Sequence, residues 1–477
     1  MDRRVFLARA GQFAAAAAGG VIGLSSARIF GREKNESRRP ASGPLRVSAK
    51  NPRYFCDANG RALLLVGAHT WNNLVDMGRS DPPAAFDFDA YLDFLDRYGH
   101  NFIRLWAWDS TTWDTRANGK WGKDFIHHVA PLPWARTGPG NALDGKPKFD
   151  LKTFDPAYFD RLHTRVSAAS RRGIYVSVML FEGWGLMHGN NRRGASAEWA
   201  WRSHPFHPDN NINGIDAAGK VHSRANSAVN ALQAAYIRKK VDTVNGLDNV
   251  LFEVINEGGE RAWDWWVVDT VRKHERTKSK QHPIGITGQG AEDLESMLAS
   301  PADWISPGSR DGFRDNPPAW DGKKVSLLDT DHIWGIGGNG PWVWKSLMRG
   351  HNPLFMDPYD GSVLARRFDP RWEPIRRNLG YARRLSSRLD LDRMTPHDEL
   401  ASTTFCVADP GNAYVVFFPG GGDGTVALRH AKAVFTVEWI NASTGKTAAG
   451  QPIAGGAERR FTPPFKGDAV LHLSKRK

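Results

Sequence analysis

The chain has almost no cysteine: Cys56 and Cys406 are the only two in 477 residues. This excludes a disulfide-stapled scaffold and a cysteine-based zinc motif, and spacing does not say whether the two pair. There is no glycine-rich phosphate loop and no His, Cys, Asp and Glu spacing that suits an ion. The reading is therefore no cofactor and no metal. Long basic runs are missing too. The net charge of +13 is spread over short pairs such as Arg192-Arg193, Arg366-Arg367 and Arg383-Arg384. No nucleic-acid module is recognisable, so a solvated basic surface is the reading and nucleic acid is not an expected partner. Beyond the first 32 residues, no apolar run is long enough to span a bilayer.

What the chain does have begins with Arg3-Arg4-Val5-Phe6-Leu7, which resembles the twin-arginine export signal. An Ala/Gly-rich stretch over 13–24 follows, then Ser25-Ser26-Ala27 as small residues for cleavage. The expectation is a signal peptide over 1–32 and a polar linker over 33–44. The twin-arginine machinery would be the precursor's partner, with the periplasm or the outside as destination and no membrane attachment after cleavage.

The most informative stretch is Asn249-Val-Leu-Phe-Glu-Val-Ile-Asn-Glu-Gly258. Its apolar run reads as a strand buried on both faces, ending in Asn256 and Glu257. The same grammar of helix, glycine, buried strand and polar end recurs upstream. The helix over 88–98 closes at Gly99 and the strand over 101–105 ends in Trp106-Ala107-Trp108-Asp109. A helix marked by Tyr158, Leu162 and Val166 closes at Gly173, and the strand over 174–180 ends in Phe181-Glu182-Gly183-Trp184. A third, marked by Val229, Leu232, Tyr236 and Val244, closes at Gly246 before the central stretch. The first strand is placed at 63–66, after the hairpin turn Asp57-Ala58-Asn59-Gly60, and ends in His69, Trp71 and Asn72. Later strands are placed at 283–287, 304–306, 325–328 and 353–356. Eight strands alternating with helices predict an α/β fold, a (β/α)8 TIM barrel. Loops carrying Trp113, Trp121 and Trp134, and an Asn-, His- and Trp-rich insertion over 187–213, interrupt it.

After a closing helical segment the pattern changes. Short β runs at 403–407, 413–418, 425–428, 434–440 and 469–473 predict a small all-β sandwich domain. The expected division is a barrel over 45–390 and a sandwich over 391–477.

The Asn256-Glu257 pair at the end of strand four resembles the clan A glycoside hydrolases, (β/α)8 barrels in which that Glu is the acid/base. Ala413-Tyr-Val-Val-Phe-Phe-Pro-Gly-Gly421, Trp439 with Thr444-Gly445, and Pro463-Pro464 before Gly467 resemble the collagen-binding-type sandwich found at the carboxyl end of many barrel glycosidases. Among clan members the chain most resembles the apiosidase-like barrels, which carry that same last domain. The resemblance implies a carbohydrate substrate, and the basic surface adds a mild expected preference for acidic glycans. The 19 tryptophans fit it, because indole faces stack on sugar rings, although they also fill barrel cores.

Glycosidases pair a proton donor with a second carboxylate, ~5 to 5.5 Å apart when retaining and ~6.5 to 9.5 Å when inverting. Glu257 is the expected donor. The family's second carboxylate is a Glu ending strand seven, whereas this chain offers Asp329 and Asp331, with Asp331 slightly favoured. Both share strand parity, so both are expected to face the barrel mouth. Arg104 matches the family's bracing arginine on strand two. His69, Trp71, Asn72, Trp106, Glu182, Trp184, Asn256, His332 and Asp357 complete the expected substrate site. The missing strand-seven Glu keeps two other readings open: a glycan-binding barrel without catalysis, and another carbohydrate-active enzyme such as a lyase.

Overall fold

The structure is a computed structural model and describes residues 39–114, 126–186, 197–288, 293–308, 312–364 and 369–476. The expected signal peptide, the 33–38 part of the linker, Trp121 and the 187–196 part of the insertion lie outside these residues.

Eight parallel strands form one sheet: β1 (Gly67–His69), β2 (Phe102–Leu105), β3 (Tyr175–Glu182), β4 (Val250–Asn256), β5 (Ile284–Thr287), β6 (Trp304–Ser306), β7 (Val325–Asp329) and β8 (Asn352–Met356). Their order is β1-β8-β7-β6-β5-β4-β3-β2, so each strand but the first lies beside its sequence neighbour. The seam between β1 and β2 is bridged by Asn101, whose backbone N–H donates to the Val66 carbonyl at 3.0 Å and whose side chain adds two bonds. Asn101 Oδ1 accepts the Val66 N–H at 3.0 Å, and its Nδ2 donates to the Leu64 carbonyl at 3.0 Å. A Cβ on Gly67 would stand 1.8 Å from the Phe102 carbonyl oxygen, so only glycine permits this approach. This is a TIM barrel, and the sandwich follows it.

The first strand differs from expectation. Ala62–Leu63 pairs antiparallel with Phe55–Cys56 across the expected turn, and the barrel strand begins at Gly67. The reason lies in the barrel floor. Phe55 and Leu65 turn inward against Phe102, Tyr175, Leu251, Val325, Leu327 and Leu354, which form one buried cluster. Within the 63–66 run Leu63 and Leu65 pack on this floor, while Leu64 and Val66 join the main core, so all four positions are apolar without forming a barrel strand.

Helices α1 (Phe88–Tyr98), α2 (Pro156–Arg171), α3 (Ser227–Val244), α4 (Arg261–Glu275), α5 (Leu294–Ala299), α6 (Gly340–Met348) and α7 (Glu373–Ser386) coat the sheet. Local signals set their ends. The Asp87 side chain accepts the Ala90 N–H at 2.9 Å, which satisfies one free donor of α1. Gly99 then leaves the helix in the left-handed conformation, with φ 78°. Tyr91, Leu92 and Leu95 are fully buried, each side chain contributing about 1.5 to 3 kcal/mol. Tyr98 instead reaches α7, its hydroxyl donating to Glu373 at 2.6 Å.

The expected loop after β2 is built of β structure. Thr112–Asp114, Ile126–Ala130 and Asp76–Gly78 make one antiparallel sheet. Trp134–Asn141 and Pro147–Phe154 make a hairpin.

The carboxyl-terminal unit has strands β9 (Thr395–Pro396), β10 (Cys406–Asp409), β11 (Ala413–Phe418), β12 (Gly424–Ala427), β13 (Val434–Asn441), β14 (Thr447–Ala454), β15 (Glu458–Phe461) and β16 (Ala469–Lys475). Six form a sheet ordered β9-β10-β11-β16-β13-β14, and β12 pairs with β15. On one face Tyr414, Val416, Phe418, Trp439 and Leu471 pack with Phe461 of β15. On the other, Val415, Phe417, Ile440 and Val470 join the barrel's own core. Burial on both faces explains why residues 413–418 read as an unbroken apolar run. Cys56 and Cys406 are both free thiols.

Candidate active site

Arg104 organises the carboxyl end of the barrel. Its guanidinium reaches four partners. Nε and Nη2 donate to Glu253 at 3.0 and 2.5 Å, and Nη2 also to Asn256 Oδ1 at 2.6 Å. Nη1 donates to Asp329 at 3.1 Å and to Asp331 at 2.9 Å. The Trp106 ring lies 4.8 Å from the guanidinium carbon and also stacks on His69. A buried cation needs such partners, because leaving the water costs several kcal/mol per ion.

The two aspartates are held differently. Asp329 ends β7 and is fully buried. One oxygen takes the His69 Nε2–H at 2.8 Å and Arg104, and the other takes the Asp331 N–H at 3.0 Å. Burial pushes its pKa up, but His69 and then Arg104 more than offset this and leave it well below the usual carboxylate range. Asp331 is not on the strand. It lies in a short helical turn, Thr330–Ile333, capped by Asp329. The expected shared strand parity therefore does not apply, yet the turn brings Asp331 Oδ2 to Arg104. Asp331 is 7% exposed. Burial raises its carboxyl to about 6, with Arg104 opposing and the adjacent Asp329 adding to the rise.

His332, the next residue, is buried and pushed down to about 3 by burial and then by Arg104. It is thus neutral at pH 7. Its Nε2 lies 3.3 Å from Asn256 Oδ1 and its Nδ1 2.8 Å from the Ser306 hydroxyl. The amide oxygen can only accept, so the proton is assigned to Nε2. Asn256 thus has its oxygen filled by Arg104 and His332. Its buried Nδ2 has no partner among the described residues.

Glu257 follows at the end of β4 with φ 47°, before Gly258 at 107° and Gly259 at 79°. A left-handed glutamate costs about 1 to 3 kcal/mol and is found where a site demands it. The turn is tightly enclosed. A Cβ on Gly183 would stand 2.0 Å from the Glu257 carbonyl oxygen, and one on Gly259 2.2 Å from Asp264. Glu257 is 8% exposed.

Across from it, Glu182 ends β3, in register with Asn256. Its carboxyl is buried and accepts the Gly185 N–H at 3.0 Å. Burial, then Asp109 and Glu257, raise its pKa well above the usual value. Trp71, Trp106, Trp108, Trp113 and Trp184 form an aromatic wall beside these groups. Trp71 lies 5.2 Å from Trp106, 5.8 Å from Trp108 and 4.9 Å from both Trp113 and Trp184.

The structure thus brings His69, Arg104, Trp106, Asn256, Asp329, Asp331 and His332 into one cluster, with Trp71, Glu182 and Trp184 on the aromatic side. Two expected substrate residues stand apart. Asp357 is fully buried in a two-pronged pair with Arg376 of α7 at 2.5 and 2.7 Å, so it ties the last helix to β8. Asn72 bonds Thr70 and Ser362, while its neighbour Asn73 bridges β1 and β2 by accepting the Trp106 N–H and donating to the Arg104 carbonyl, both at 2.7 Å. Glu253 was missed by sequence reasoning. Its signal was a charge inside the apolar run Val-Leu-Phe-Glu-Val, which burial makes untenable without a cation. Asp109 and His222 were also missed. Among the described residues, no group of three or more His, Cys, Asp or Glu is placed to hold a metal ion.

Residues 129–294 match the model of a family described as a domain of unknown function, DUF6298. No curated protein matches the chain. Several solved structures share the fold. One is a glycoside hydrolase, 12% identical, covering 91% of this chain and 97% of its own, with a TM-score of 0.57. A glycoside hydrolase family 5 protein from Bacteroides vulgatus is 13% identical, covers 92% and 95%, and gives 0.59. A candidate glycoside hydrolase from the same species is 14% identical, covers 93% and 83%, and gives 0.61. At these identities the likeness speaks for the architecture, barrel and sandwich together.

Proposed function

We propose that the protein is a glycoside hydrolase that cleaves O-glycosidic bonds with two carboxyl groups. The observation that carries this is the carboxylate set gathered on Arg104 at the carboxyl ends of β4 and β7, beside a left-handed Glu257 and a tryptophan wall. Glu257 protonates the leaving oxygen. Asp331 attacks the anomeric carbon or activates a water, because Asp329 has both oxygens engaged while Asp331 presents one to the mouth. Asp329, Arg104 and His69 hold it in place. The buried Asn256 Nδ2 donates to a sugar hydroxyl, and the indoles supply stacking faces. The glycoside hydrolases of like fold support the substrate class. Arg3-Arg4 supports export by the twin-arginine route, which replacement of both by Lys would block.

The test is release of reducing ends from a panel of plant and bacterial glycans, by the wild type and by Glu257→Gln. The amide keeps the shape and removes the proton. Rates on poor leaving groups should fall about 10²- to 10⁴-fold, with a smaller loss on an activated aryl glycoside. Equal rates for both proteins would remove Glu257 from the donor role. A wild type that binds glycans and hydrolyses none would favour a glycan-binding barrel, the reading that the missing strand-seven Glu supports.

A further inference from the structure

Asp109 lies beyond the end of β2 and is 6% exposed. One of its oxygens, Oδ2, takes the Glu182 N–H at 3.3 Å and faces His222 Nε2 at 3.2 Å. His222 belongs to no regular element, yet its side chain is only 8% exposed. Its ring packs edge-on against Phe181 of β3 at 5.9 Å and Trp263 of α4 at 5.1 Å. Its carbonyl accepts the Glu260 N–H at 3.0 Å, three residues past Glu257. The neighbouring carbonyls are tied as well. Val221 accepts from Gln233 at 2.9 Å and Ser223 from Asn230 at 2.8 Å, both on α3. Gln233 in turn accepts the Trp263 indole N–H at 3.0 Å. Three consecutive carbonyls are thus held, and only the middle one reaches the Glu257 turn.

That turn needs outside support. Three successive residues, Glu257, Gly258 and Gly259, have positive φ, and two of them are glycines with wide conformational freedom. The hydrogen bond that ties it to β5, from the Glu257 N–H to the Thr287 hydroxyl, is long at 3.5 Å. We propose that Asp109 and His222 form a positioning pair that holds the Glu257 turn: Asp109 fixes the His222 ring against the end of β3, and the His222 carbonyl fixes the turn at Glu260. The role of Glu257 as proton donor rests on the function proposed above, whereas the positioning itself does not.

The test uses the full chain and two readouts. His222→Phe keeps the packing on Trp263 and Phe181 and deletes the donor to Asp109. Asp109→Ala deletes the acceptor and leaves the His222 backbone in place. His222→Gln returns an amide N–H near the Nε2 position. Hydrogen–deuterium exchange of peptides covering 257–260 is expected to quicken about tenfold or more in the first two variants and to return to the wild-type rate in the third. On glycosides with poor leaving groups, kcat is expected to fall about 10²-fold with KM little changed, as a misplaced donor would give. Unchanged exchange over 257–260 in both folded variants overturns the proposal. So does a general rise in exchange across the barrel, which marks a packing role alone. If His222→Phe does not fold, Asp109→Ala decides. Quickened exchange in a wild type that hydrolyses nothing leaves the positioning pair standing and removes the glycosidase reading.

Discussion

The two sides of the barrel mouth handle carboxyl groups in opposite ways. On the Arg104 side, Asp329 is buried yet held ionised, because a guanidinium and an imidazole offset the lost hydration. On the tryptophan side, Glu182 is equally buried, but its charged neighbours are Asp109 and Glu257, and it keeps its proton well above the usual range. Burial alone pushes both in the same direction, so the partner decides the charge. Asp331 falls between, near 6, because it touches Arg104 and also neighbours Asp329. A site with carboxyls poised at different protonation states has the means for acid and base work at one pH.

The sharpest way to break this contrast is at Asp331. Asp331→Asn should fold normally and lose turnover by roughly 10⁴-fold or more, including on activated glycosides, since nothing replaces an attacking carboxylate. Azide added to Asp331→Gly should restore part of the rate, and the anomer formed reports the face attacked. Full activity in Asp331→Asn would move the role to Asp329.

Next in size is the cation. Arg104→Met strips Glu253, Asp329 and Asp331 of their shared partner. Breaking a buried pair costs about 3 to 5 kcal/mol, so the urea midpoint should fall sharply. An unchanged midpoint would mean that the network is not what holds the mouth together.

A smaller effect is expected from pH. Asp331 must be ionised to attack, and its raised pKa near 6 sets the threshold. Activity should therefore rise as pH passes upward through about 6, falling about tenfold per unit below it. The profile of kcat/KM measures this, and a flat profile between pH 5 and 7 counts against Asp331.

The smallest effect belongs to Glu182. A carboxyl that holds its proton well above the usual range resembles an amide more than a free carboxylate does, so Glu182→Gln should change rates by less than about fivefold. A large loss would mean that Glu182 works as an anion and that the two sides of the mouth are more alike than their surroundings suggest.

Much of the barrel was legible because its signals are local. Gly99 and Gly173 end their helices with positive φ, and the Asp57-Ala58-Asn59-Gly60 turn joins paired strands. Arg104, Asn256 and both aspartates could be placed because polar residues at the ends of apolar runs have few places to go. What failed was long-range. The 63–66 run looked like a barrel strand because a floor plug and a buried strand have the same composition. The strands β14 and β15 escaped notice because β14 is a largely exposed sheet edge containing Pro452, with no apolar alternation to mark it. Asp357 looked like a site residue until Arg376, 19 residues on in α7, was seen to claim it. His222 carries no local signal, since only folding brings it to Asp109.

The Asn101 latch has a consequence for how the barrel gives way. Seven of its eight seams are backbone ladders, whereas between β1 and β2 the carboxamides of Asn101 and Asn73 stand in for part of that ladder. A ring under load opens at its least redundant joint, and here that joint joins consecutive strands, so the chain on either side stays tethered by α1 and can reclose without a long search. The barrel thus carries its least redundant joint between strands that α1 keeps tethered, at the point farthest around the sheet from the β5–β6 seam.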